Sequence, residues 1–166
     1  MIGHLPAFQV VLPLFAAPLC IVLRRGALPW LVAVAVSWVA FLIAAIQLAT
    51  VLDSGVITYE LGGWPAPWGI EYRIDPLNAF MMVIVAGIAA VVLPYARRSV
   101  AAEIREDLHY LFYSAFLLML AGLLGIATTG DAFNLFVFIE IAALSSYALI
   151  AMGKDRRALT AAFTYL

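Results

Sequence analysis

Charge is scarce in this sequence. Of its 166 residues 11% are charged and 66% are hydrophobic, whereas soluble domains carry about 25% and roughly 45–50%. That balance excludes a water-facing polar shell. The net charge of −1 leaves no basic excess of the kind that attracts nucleic acid, so nucleic acid is excluded as a partner. The one cysteine, Cys20, excludes an internal disulfide and leaves a Cys-based metal site without its other ligands. It reads as a small apolar residue in an apolar run. No Gly-rich phosphate loop, nucleophile triad or metal-ligand cluster occurs. The expectation is a chain with no catalytic residue, cofactor or metal of its own.

What is present is long apolar runs. A membrane-crossing helix needs about 20 mainly apolar residues, because each adds about 1.5 Å across a hydrocarbon layer about 30 Å thick. Five stretches qualify: Leu5 to Leu23, Leu28 to Leu52, Asp75 to Tyr95, Leu108 to Thr128, and Asp131 to Gly153. Asp131 can cap the start of the fifth and Gly153 can end it. A sixth apolar segment runs from Ala158 to Leu166, which is nine residues, too few to span. The expected fold is all-α: a polytopic transmembrane bundle, residues 1–166 forming one membrane segment of five complete helices and the start of a sixth. The first helix is expected to be retained rather than cleaved as a signal, since Arg24 and Arg25 follow it and nothing basic precedes it. Pro13 and Pro18 within it suggest a kink.

With five crossings, eight of the nine basic residues fall on one side: Arg24 and Arg25; Arg97, Arg98 and Arg105; Lys154, Arg156 and Arg157. Arg73 alone lies opposite. The positive-inside rule places the eight in the cytoplasm, with the N-terminus and the loop of residues 53–74 outside a cell membrane, the inner one where there are two. In that loop Val56–Leu61 and Ile70–Ile74 alternate apolar and polar residues around Gly62-Gly63-Trp64-Pro65-Ala66-Pro67-Trp68-Gly69, which predicts a β-hairpin with a long Gly/Pro turn. Its tryptophans suit the headgroup level, and its edge suits pairing with another subunit.

Glu140 is the one ionisable residue placed deep in a span. It lies nine residues past Asp131, about 14 Å along the axis and near the middle of the bilayer. An acidic side chain there costs on the order of 2.5–3.5 kcal/mol, so such residues usually face a bundle interior or a water-filled cavity. Phe133, Phe136, Val137, Ala143, Leu144 and Tyr147 share its face by helical spacing, Tyr147 offering a hydroxyl. Ala142, Ala143, Ser145 and Ser146 form a small-residue run that permits close packing. Lost hydration favours a neutral carboxyl and a nearby cation the charged one, so a carboxyl held between them can trade protons. The alternative is a protonated Glu bonded to a neighbouring helix. The nearest cation on its own helix, Lys154, is fourteen residues away, so a basic partner must come from elsewhere.

Other polar residues carry less. Gln9 and Gln47 are expected near the outer helix ends, their amides reaching interfacial water. His109, beside Glu106 and Asp107, reads as a solvated interfacial histidine. Asp75 before Pro76 suits an N-cap more than ion entry. Tyr147, Asp75 and His109 are the possible accessory residues of a proton path.

The loop Leu61-Gly-Gly-Trp-Pro-Ala-Pro-Trp-Gly-Ile70, then Asp75-Pro-Leu-Asn-Ala-Phe80, with Gly130-Asp-Ala-Phe-Asn-Leu-Phe-Val-Phe-Ile-Glu140 and Ser145-Ser-Tyr-Ala-Leu149, resembles the antiporter-like membrane subunits. These are the D subunit of Mrp-type multisubunit cation/proton antiporters and its relatives in complex I and membrane-bound hydrogenases. The resemblance spans essentially the whole chain and implies that Glu140 stands where the family keeps the fifth-helix glutamate of its proton path, working against a lysine on a broken helix farther along. Family members have about fourteen helices; this chain departs from the pattern by stopping at the start of the sixth, without that lysine. The partners the resemblance implies are other membrane subunits, the lipid bilayer, protons and, as the exchanged cation, sodium. Three functions follow as expectations: a transporter subunit supplying the glutamate half of a proton site in a sodium/proton antiporter; a membrane subunit of a proton-pumping NADH:quinone oxidoreductase or hydrogenase; and a scaffold that moves no protons.

Overall fold

In a computed structural model, residues 2–65 and 68–165 are described. Five long helices are each long and apolar enough to cross a membrane. They are α1 (Leu5–Val22), α2 (Leu28–Ser54), α3 (Pro76–Glu103), α4 (His109–Thr128) and α5 (Ala132–Ala151), followed by a short α6 (Arg156–Tyr165). Pro13 and Pro18 stand inside α1 without ending it, as membrane helices tolerate. Between α1 and α2 the chain reverses over a few residues, and Gly26 takes a φ of +61° there, a left-handed conformation that residues with a Cβ adopt at a cost. Helix α3 runs eight residues past the expected end at Tyr95, because no helix breaker follows when hydropathy falls. The stretch through Arg97 and Arg98 stays helical to Glu103.

The hairpin forms as the alternation predicts. Strands β1 (Ile57–Glu60) and β2 (Glu71–Ile74) pair antiparallel, with Ile57 opposite Ile74 and Tyr59 opposite Tyr72. Ile74 and Tyr72 are buried, whereas Trp64 and Trp68 stand exposed at the tip. The middle of the expected turn, Ala66 and Pro67, and the last residue of the sixth segment, Leu166, lie outside the described residues.

Helix α4 is the hub. It packs against α1, α3 and α5 and also touches α2, while α2 lies along α3 and α1. Leu117, Leu120 and Leu124 of α4 are fully buried, as are Met82 and Leu93 of α3. Alanines at 33, 40, 44, 79, 86, 89 and 90 fill the other interfaces. Small side chains let backbones approach, and in lipid that contact must come from dispersion, since acyl chains are as apolar as leucine.

One expectation fails here. Gln9 and Gln47 do not reach interfacial water: they are 0% and 1% exposed. Each sits on the inward stripe of its helix, Gln9 with Pro13, Ala16 and Cys20, and Gln47 with Ser37, Ala40, Ala44 and Val51, so burying the stripe buries the amide. Gln9 Nε2 donates to the Ala40 carbonyl at 3.2 Å. Gln9 Oε1, Ser37 Oγ and both amide atoms of Gln47 have no partner among the described residues, each costing about 1–3 kcal/mol relative to a satisfied group.

Candidate functional site

Helix α5 is seated by its ends and by one narrow seam. At its start Asp131 accepts a hydrogen bond from the Asn134 amide at 3.0 Å, the cap the sequence predicts. The segment before it is tied to the hairpin: Thr129 bridges Tyr72, and the Gly130 amide donates to the Glu71 carbonyl at 2.9 Å. Burial holds the Tyr72 phenol above its usual value, and the Asn134 side chain beside it partly opposes that. At the other end Gly153 pairs with Ile104 in an isolated bridge. The C-cap is Met152 rather than Gly153. Lys154 Nζ donates to the Ala102 carbonyl at 2.8 Å, placing its charge at the negative end of α3.

The seam is Asn134, Phe138, Ala142 and Ser145, the buried residues of α5. Phe138 and Ala142 lie against two glycines of α4. A Cβ on Gly122 would come within 2.7 Å of the Ala142 nitrogen, and one on Gly125 would overlap the Phe138 ring. The helices therefore touch where only hydrogen fits. Each successive residue turns about 100° round a helix, so Glu140, two positions from both Phe138 and Ala142, points away from the seam.

The structure bears this out. Glu140 is exposed, and so are Phe133, Phe136, Val137 and Leu144 on the same side, at 74%, 59%, 36% and 61%. This stripe is the face that spacing assigned to Glu140, with Ala143 and Tyr147 half-buried at its margin. It is apolar along its length except for one carboxyl, and no other spanning helix of this chain covers it. Among the described residues the one ion pair joins Arg105 to Asp107 at 2.7 Å, so Glu140 has no counter-charge.

The accessory candidates do not converge on Glu140. The Tyr147 ring packs edge-on against Tyr165 of α6, centroids 5.7 Å apart. Asp75 caps α3, accepting from the Asn78 amide at 2.8 Å. His109 is half-buried rather than solvated, its Nε2 3.1 Å from the Ile104 carbonyl, and neighbouring Asp107 pairs with Arg105 instead. Asp75 and His109 open α3 and α4 at opposite ends of the bundle. Cys20 is wholly buried, facing the Pro29 carbonyl at 3.6 Å.

This architecture has counterparts among known proteins. The chain is 43% identical over its full length to the N subunit of the NADH-quinone oxidoreductase of Desulforudis audaxviator, covering 33% of that protein. It is 35% identical over 95% of its length to the D subunit of the Na(+)/H(+) antiporter of Bacillus subtilis, covering 31%. It superimposes over 98% of its length, at a TM-score of 0.89 and 32% identity, on 33% of a chain in the membrane-bound sulfane sulfur reductase, an archaeal respiratory membrane complex. It belongs to the antiporter-like membrane subunit family. No family model matches it. As a member of that family it is a multi-pass membrane protein, and it spans about a third of the length of the relatives it matches.

Proposed function

We propose that this antiporter-like chain supplies the glutamate half of a proton-transfer site in a multisubunit sodium/proton antiporter, with Glu140 as the proton-carrying group. One observation carries this reading: a carboxyl about halfway along a spanning helix, turned away from its own bundle onto an apolar flank that the chain leaves open. A charge there is too costly to leave against acyl chains, so the flank is met in the assembly by helices from outside this segment, and those helices bring the cation. Approach of the cation favours release of the proton and its withdrawal favours uptake, because the two protonation states differ by one charge. The packing supports a fixed position for the acid. The glycine–Phe138 seam and the Asp131 cap hold α5 in one rotation, so the moving part is the partner.

In this proposal the basic ends at Arg24, Arg97 and Lys154 lie in the cytoplasm, and the N-terminus and hairpin lie outside, as the distribution of positive charge favours. The partners are other membrane subunits, with sodium as the exchanged ion. Glu140→Gln, which keeps shape and removes the titrating proton, abolishes proton-coupled sodium transport by the assembled complex in inverted vesicles. Unchanged transport refutes the assignment. Loss of assembly on replacing Trp64 and Trp68, with Glu140→Gln silent, would identify a scaffold.

A second reading has its own support. The relative 43% identical over the whole chain is an NADH-quinone oxidoreductase subunit by name, which favours a proton-pumping NADH:quinone oxidoreductase as the parent assembly. Flavin or iron–sulfur subunits purifying with the chain would establish it. Glu140 keeps the same role in either machine.

A further inference from the structure

At the end of the bundle that carries most of the basic residues there is a cavity of about 340 Å³ unconnected with Glu140, lined by Arg24, Trp30, Arg97, Glu106, His109 and Tyr113 among others. Its size is at the small end of ligand sites. The Arg97 guanidinium lies 4.9 Å from the centre of the Trp30 ring, and Trp30 is itself fixed by its Nε1 donating to the Leu93 carbonyl at 3.0 Å. Neither Arg24 nor Arg97 has an acidic partner among the described residues. Tyr113 also lines the cavity and is only 4% exposed, and its hydroxyl makes no hydrogen bond with any described residue. The first turns of α2 and α4 also open here: Gly26, Ala27 and Pro29 line the cavity from one side, His109 and Tyr110 from the other. Helix α2 has no side-chain cap, so its first amides add positive potential; at α4 the preceding turn already takes the His109 amide, which donates to the Glu106 carbonyl.

We infer that this cavity binds the phosphate of a phospholipid headgroup. Two arginines against the single carboxylate of Glu106 leave a net charge of +1, with histidine neutral. Two planar guanidiniums, the Tyr113 hydroxyl and the N-terminus of α2 make a donor set suited to phosphate oxygens. Trp30 and Tyr110 suit the depth at which glycerol meets acyl chain. Glu106, the one acceptor of charge at the rim, suits a hydroxyl or ammonium on the rest of the headgroup. A soluble phosphate would use the same donors, so the experiment separates the two sources.

The assembled complex is purified in detergent and its retained phospholipid identified by native mass spectrometry. Wild type retains a phospholipid through washing, and Arg97→Gln retains roughly five-fold less, the effect of one basic residue at a lipid surface. Arg24→Gln, on an exposed turn where folding is not at stake, shows a similar loss. Tyr113→Phe shows a smaller one, and Arg98→Gln, whose side chain does not line the cavity, shows none. In parallel, inorganic phosphate is added to delipidated protein and protection of Arg24 and Arg97 from an arginine-selective reagent is measured. Protection without lipid retention assigns the same phosphate chemistry to a soluble source and overturns the lipid. Equal retention by wild type, Arg24→Gln and Arg97→Gln, with no protection, overturns the site.

Discussion

Substituting Gly122 with alanine should loosen α5 from the bundle, and the size of the effect can be worked from the contact. In an exposed helix the change would add about 1 kcal/mol of helix propensity. Here the new Cβ would stand 2.7 Å from the Ala142 nitrogen and 2.9 Å from the Phe138 carbonyl oxygen. Both are backbone atoms, so no rotamer change relieves the overlap and α5 itself must shift by several tenths of an ångström. Overpacking of this kind costs about 1–3 kcal/mol, which exceeds the propensity gain, so the net change is destabilising. Gly87→Ala is the internal comparison: its Cβ would lie 3.2 Å from the Phe41 ring edge, which can swing, so that variant is neutral or slightly stabilised. Reversible unfolding of the assembled protein in bilayers, followed by steric trapping at α5, measures both. If Gly122→Ala proves as stable as Gly87→Ala, the seam does not set the rotation of α5, and the outward orientation of Glu140 loses its physical cause.

Other consequences follow from the same geometry. Asp131→Ala removes the α5 cap and should cost about 1 kcal/mol, with Asp131→Asn nearly neutral, in the same unfolding assay. Burial favours the neutral phenol of Tyr72, so its contribution is complete below its unfolded value near 10 and is lost as pH rises through the higher folded value. The alkaline loss of stability should therefore flatten in Tyr72→Phe, and a slope unchanged by that substitution would contradict the burial account. Gln47→Leu removes two unpaired buried polar atoms and should leave stability unchanged or raise it; a loss above about 1 kcal/mol would show that the amide has a partner in the assembled protein.

How much of this was legible in the sequence depends on whether a residue's role is local or relational. The five spans, the hairpin and the caps at Asp75 and Asp131 were legible because each depends on neighbours within a few positions: apolar run length, alternation, and a short acid before a helix. The end of α3 was not, because hydropathy reports where hydrocarbon stops, while a helix continues into the interface until something breaks it. Gln9 and Gln47 were misplaced for a relational reason: an amide's position along a helix gives its depth, but the stripe it occupies decides whether it meets water or protein. The glycines at 122 and 125 drew no attention in an apolar run, although two glycines three apart on a spanning helix are a sign of close approach. The depth and isolation of Glu140 were readable, and so was the set of residues sharing its face. What lies over that face was not, because no other described spanning helix of this chain packs on it.

The central claim is that the Glu140 side of α5 meets protein and not acyl chains once the complex is assembled. Leu144, one turn along the same face and 61% exposed in this chain, is the position to probe, since the native Cys20 is fully buried and gives no background. Leu144→Cys in the assembled complex should resist a lipid-soluble maleimide over times that label an acyl-facing cysteine completely. Labelling of Leu144→Cys at the full acyl-facing rate would place the carboxyl against lipid and contradict the account.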